Sequence, residues 1–99
     1  MKEFIIDGKK FRTSNAFYKL AQDIFTFNLT NKATNNLDVI NDYIHGGFGQ
    51  HDYLEEIKVI WINMEISRRN LTIDLYYSIL KMFEEAENVT LEKFKKTKA

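Results

Sequence analysis

The stretch Ile57-Lys58-Val59-Ile60-Trp61-Ile62 interrupts its apolar character once, at Lys58. A strand half-exposed to water alternates apolar and polar residues, whereas a nearly continuous apolar run this short is the pattern of a strand buried on both faces of a parallel sheet. Parallel neighbours must be joined by crossovers, usually helical and right-handed, so this run predicts a central strand with helices packed on the sheet. The chain has 99 residues, enough for one hydrophobic core and too few for two. The expected organisation is one domain over residues 1–92, with residues 93–99 forming the end of the last strand and a frayed basic tail.

The remaining segments supply the partners of that strand. Lys2–Asp7 is β-branched and aromatic and closes on Asp7-Gly8, a strand followed by a turn. Ser14 can cap a helix in which Phe17, Leu20, Ala21 and Ile24 recur at helical spacing. Residues 28–36 are polar and turn-like, and Thr34 or Asn35 is the expected cap of a second helix with Leu37, Ile40 and Ile44 on one stripe. Gly46-Gly47 stop it. Residues 70–87 carry two apolar stripes and predict a long, broadly buried helix; residues 89–94 predict an edge strand with Val89 and Leu91 on one face.

Several kinds of chemistry lack their residues. Without cysteine there is no disulfide framework and no thiolate nucleophile or metal ligand. His45 and His51, six residues apart across two glycines, do not have the spacing of a helical metal pair. Gly46-Gly47-Phe48-Gly49 follows a helix instead of opening one, so it reads as a stop and not as a phosphate cradle. The expectation is a protein that is not an enzyme and uses no cofactor or metal. No apolar run approaches the roughly 20 residues that cross a bilayer, and no signal peptide opens the chain, which predicts a cytoplasmic protein with no membrane contact.

The charges balance at 14 basic and 14 acidic residues, but they are not mixed. Asp38, Asp42, Asp52, Glu55 and Glu56 lie between Lys32 and Lys58 with no basic residue among them; Glu84, Glu85, Glu87 and Glu92 do the same between Lys81 and Lys93. Folded together, these segments would draw in a cationic partner. The lysines of residues 93–99 have one aromatic, Phe94, and no second basic patch nearby in sequence, so they predict a solubilising end and no nucleic-acid grip. Asp38 and Asp42 stand at i, i+4, on one helix face opposite the Leu37, Ile40 and Ile44 stripe.

Phe4-Ile5-Ile6-Asp7-Gly8 in the first strand, Asn36-Leu37-Asp38 followed by Asp42, Gly46 at the helix end and Phe83-Glu84-Glu85-Ala86 late in the last helix occur in an order and spacing that resembles the barstar family of ribonuclease inhibitors. The resemblance spans essentially the whole chain. It implies an α/β fold, a three-stranded mainly parallel sheet with about four helices packed on it, in a protein that is a monomer when free. It also implies an inhibitor whose helical carboxylates stand in for RNA phosphates in the active site of a small basic ribonuclease. By position, Asp42 is the acid entering the phosphate site, Asp38 its neighbour, Gly46 the close-approach backbone position and Glu85 a peripheral acid. Where the family pattern has bulky aromatics, this chain has Asn41 before Asp42 and Gly47 after Gly46, with Phe48 one position on; Lys32 stands where an aromatic would precede the helix. His45 completes the expected partner-binding set. These departures leave two alternatives beside the inhibitor: an immunity protein against a nuclease toxin, and a protein-binding module with no nuclease target.

Overall fold

The computed structural model describes residues 1–26 and 34–96. Strand β1 (Lys2–Asp7) turns through a short 3-10 segment (Gly8–Lys10) into helix α1 (Ser14–Phe25). Helix α2 (Leu37–His45), strand β2 (Ile57–Ile62), helices α3 (Met64–Asn70) and α4 (Ile73–Glu85) and strand β3 (Val89–Lys93) complete the described chain. The three strands form one parallel sheet in the order β1-β2-β3, with Ile6 opposite Trp61 and Val59 opposite Leu91. The α/β class, the central position of β2 and the four helices agree with the expectation.

Burial of β2 is less symmetrical than its sequence implies. Ile57, Val59 and Trp61 point to one face and are fully buried in the core. The opposite face carries Ile5, 57% exposed, and an ion pair between Lys58 and Glu92 at 3.3 Å. Ile60 is buried on that face between its register partners Ile5 and Glu92. The sheet is therefore covered fully on one side only, and the apolar run reflects a central position as much as two covered faces.

Trp61 anchors the covered face. Its Nε1–H donates to Ser67 Oγ at 3.2 Å, and its ring lies 5.5 Å from Tyr76 and 6.3 Å from Phe83, so the indole is buried with its one donor satisfied.

Local chemistry corrects several boundaries. Thr13, not Ser14, caps α1, its hydroxyl accepting from Ala16 N–H at 3.1 Å, and the buried face is Phe17, Tyr18, Ala21, Gln22 and Phe25, leaving Leu20 and Ile24 at its margin. Asn36, not Thr34 or Asn35, caps α2, its side chain accepting from Asp38 N–H at 2.8 Å. The long helix expected over residues 70–87 begins only after Thr72, whose hydroxyl caps α4 by accepting from Leu75 N–H. Only Tyr76, Ile79 and Phe83 of α4 are buried; Ile73 and Tyr77 are each 52% exposed. Helix α3 gives no apolar periodicity to read, because its seven residues bury only Met64 and Ser67.

Backbone pairing continues past β3. Phe94 N–H donates to Trp61 C=O at 2.9 Å, and Phe94 and Lys95 carbonyls accept from Met64 and Glu65 N–H at the start of α3. Lys95 consequently lines a groove with Arg68, so the terminal lysines do have basic neighbours in space. Lys32 and most of the polar turn expected over residues 28–36 lie outside the described residues.

Candidate functional site

Helix α2 is held from below by Ile40, Tyr43 and Ile44, all buried, each contributing on the order of 1.5–3 kcal/mol. That anchoring fixes the opposite face, where Asp38 and Asp42 are exposed and neither has an ion-pair partner among the described residues. Asp38 sits in the first turn and gains from the helix dipole; Asp42 lies toward the C-terminal end, where the dipole opposes a negative charge. Repulsion between the two at i, i+4 adds a cost of about 0.2–0.5 kcal/mol. Folding alone gives no reason for Asp42.

The end of α2 is closed with unusual completeness. Gly46 adopts φ 103°, and a Cβ there would stand 2.1 Å from the Asp52 carbonyl oxygen, so the backbone passes where no side chain fits. Its N–H donates to Tyr43 C=O. The Ile44 carbonyl accepts from His51 Nε2–H and from Asn88 Nδ2–H, both at 2.9 Å, and the His45 carbonyl accepts from Leu54 N–H at 2.6 Å. These bonds satisfy carbonyls that a helix end leaves orphaned. They also fasten residues 46–56 to the helix. His51 is buried, with its ring 5.4 Å from Phe4, and serves as a core pin with no metal-binding geometry.

Two concavities meet along α2. A groove between α2 and α4, about 460 Å³, brings Asp38, Asn41 and His45 against Glu85. Beside it a depression of about 340 Å³ is lined by Asn41, Asp42, His45, Gly46, Phe48 and Tyr53. Asn41 and His45 form the ridge shared by both, fixed by a 2.6 Å hydrogen bond from His45 Nδ1–H to Asn41 C=O. Seven of the eight expected partner-binding residues are thus contiguous, and Lys32 is the one outside the described residues. Phe48 is half-buried, its ring edge-on to Tyr43 at 5.0 Å, so it faces the core as well as the depression.

Sequence reasoning missed two members. Lys81 lines the groove and pairs loosely with Glu85 at 3.8 Å, both ends exposed, a contact worth little in water. Tyr53 is 71% exposed beside Asp42; its signal was an aromatic inside an acidic, glycine-rich segment. On Glu55 the Asp52 N–H, donating to the carboxylate at 2.9 Å and aided by Lys2, holds the carboxyl below its ordinary range. Among the described residues no group of three or more His, Asp or Glu is placed to hold a metal ion, and no helix is long and apolar enough to cross a membrane.

Among the described residues the arrangement offers two exposed carboxylates without ion-pair partners on a packed helix, flanked by shallow concavities, while Gly46 is buried and its missing side chain makes room for the chain's own Asp52 carbonyl. A comparison with curated proteins gave no match. The family model described as Barstar (barnase inhibitor) matches residues 1–98, and the chain accordingly belongs to the barstar family.

Proposed function

We propose that this protein inhibits a small basic ribonuclease by seating the exposed face of α2 in the enzyme's active site, Asp42 taking the place of an RNA phosphate and Asp38 and Glu85 flanking it. Family membership supports a ribonuclease-inhibitor role in general. The observation that carries this mode of binding is Asp42 itself, an exposed acid with no ion-pair partner among the described residues, on a helix whose opposite face is packed by Ile40, Tyr43 and Ile44. In this reading the protein is a non-catalytic cytoplasmic monomer without a cofactor, and its partner is a protein.

Titrating barnase with the protein while following cleavage of a fluorogenic RNA tests the reading. Inhibition should reach completion at one equivalent and be competitive with substrate. Its association rate should fall steeply as salt rises past about 0.1 M, where the Debye length is about 10 Å. Full nuclease activity in the presence of tens of micromolar inhibitor, or an association rate indifferent to salt, contradicts it.

Lys81 favours one refinement, that the partner is a nuclease toxin against which this chain confers immunity. The Lys81 contact with Glu85 is loose and exposed, so in this refinement Lys81 turns to an acid on the partner at that point. A cognate nuclease whose affinity falls on Lys81→Glu supports this refinement, and one whose affinity rises opposes it.

A further inference from the structure

Tyr53 is a large apolar ring left 71% exposed, and its exposure is not that of a loose loop. The turn that carries it is tied within itself and to α2: Gly47 N–H donates to His51 C=O at 2.9 Å, Glu55 N–H to Asp52 C=O at 3.0 Å, and Leu54 N–H to His45 C=O. Asp52 N–H is taken by Glu55 Oε1, and Lys2 Nζ reaches the Gln50 carbonyl at 2.9 Å. Beneath it, the buried His51 ring packs against both Phe4 and Phe25, which also touch each other.

The backbone of this turn also carries strain. Leu54 adopts φ 58°, the left-handed region that a bulky side chain disfavours. The same segment uses glycine at three other positive-φ positions, Gly46, Gly47 and Gly49, so a leucine in that conformation next to Tyr53 is a local cost that the surrounding bonds enforce. Strain of this kind gathers where a surface must be presented in one geometry.

The surroundings give the chemistry of the contact. Tyr53 lines the same depression as Asp42 and follows Asp52 directly, with Glu55 and Glu56 shortly after. A ring that lines the same depression as Asp42, on a segment that also carries Asp52 and Glu56, favours a guanidinium or ammonium group, which gains from the quadrupole of the ring and from the field of the acids together. We infer that Tyr53 is a specificity-determining contact of the docking surface, its ring covering an Arg or Lys side chain at the rim of the nuclease's phosphate site while Asp42 enters the site. The inference rests on the proposed inhibitor reading and adds the residue and the interaction that would supply an aromatic contact beside Asp42.

Binding of Tyr53→Ala, Tyr53→Phe, Tyr53→Leu and, as reference, Asp42→Ala to barnase tests it, with thermal unfolding as the control for folding. Because the ring is exposed, every Tyr53 variant should unfold within about 2 °C of wild type. Tyr53→Phe keeps the ring face and should bind within about threefold of wild type, whereas Tyr53→Ala and Tyr53→Leu should each lose about tenfold to thirtyfold. If Asp42→Ala weakens binding while Tyr53→Leu or Tyr53→Ala binds as tightly as wild type, the role given to Tyr53 is wrong and the inhibitor reading stands. If wild type does not bind, or Asp42→Ala changes nothing, the inhibitor reading itself fails and takes the Tyr53 contact with it.

Discussion

The two ends of the parallel sheet carry opposite charge. Strands β2 and β3 are entered from acidic segments, residues 52–56 and 84–87, and α2 leads into the first of them. All three strands leave into basic ones: Lys9, Lys10 and Arg12 after β1, Arg68 and Arg69 on α3 after β2, Lys95 and Lys96 after β3. In a parallel sheet every strand starts at the same end, so this alternation along the chain becomes segregation in space. Arg69 shares a groove with Lys9 and Arg12, and Arg68 shares the next with Lys95. None of these seven cations has an ion-pair partner among the described residues, nor do Asp38, Asp42, Asp52, Glu56 or Glu87. A formal net charge of zero is thus compatible with a strong field of each sign. Under the proposed inhibitor reading, the acidic end attracts a basic nuclease toward α2 and the basic end repels it from the opposite approach.

Both ends are also closed by a glycine against a carbonyl, so each can be perturbed by one added methyl group. A Cβ on Gly46 would stand 2.1 Å from the Asp52 carbonyl oxygen, and one on Gly8 the same distance from that of Asn63. Gly46 has in addition φ 103°, and Gly8 has no such constraint. Gly46→Ala should therefore cost about 2–4 kcal/mol and abolish tight nuclease binding. Gly8→Ala should cost about 1–3 kcal/mol and leave the affinity of the folded fraction intact. Denaturant unfolding and nuclease titration of both variants check this, and equal losses of affinity would show that the two ends are not functionally distinct.

A smaller effect separates the ends by pH. Glu55, at the acidic end, has its carboxyl pulled down chiefly by the Asp52 N–H, which outweighs desolvation, with Lys2 adding to the pull. A depressed folded value favours the native state above the unfolded carboxyl range and loses that benefit as pH falls through it, so Glu55→Gln should flatten the acid limb of the stability curve. Tyr76, at the basic end, has its phenol pushed up by burial and by Tyr77 against the pull of Arg68. A raised value favours the native state below the unfolded range of about 10 and is lost as pH rises through the folded one, so Tyr76→Phe should flatten the alkaline limb. Urea unfolding midpoints from pH 3 to 11 read both limbs, and an unchanged limb in either variant removes that residue from the account.

How much of this was legible follows from where the residues lie in the chain. The acidic end could be counted from sequence because its members are neighbours, with Asp38 and Asp42 one helical turn apart. The basic end could not, because Lys9, Arg12, Arg69, Arg68 and Lys95 come from three segments that only the strand order brings together. Hydrophobic pattern found β2 but overstated its cover, since a central strand is shielded laterally as well as by helices. Helix α3 escaped because a seven-residue helix burying two side chains leaves no period to read, and Tyr53 because its meaning depends on a turn whose bonds are not encoded by spacing.

Asp42 and the arginines at the opposite end of the molecule should contribute to binding in opposite ways. The measurement is the dissociation constant for barnase of wild type, Asp42→Ala and Arg68→Ala/Arg69→Ala at about 0.1 M salt, with melting temperatures recorded alongside. Deleting one member of a buried charge-assisted contact costs about 2–5 kcal/mol, a magnitude drawn from inhibitors of this family among others, so Asp42→Ala should bind at least about thirtyfold more weakly with its melting temperature within a few degrees of wild type. The double arginine variant should bind within about twofold, with a slightly faster association. Wild-type affinity in Asp42→Ala, or a larger loss in the arginine variant, would place the docking surface away from α2 and contradict the account.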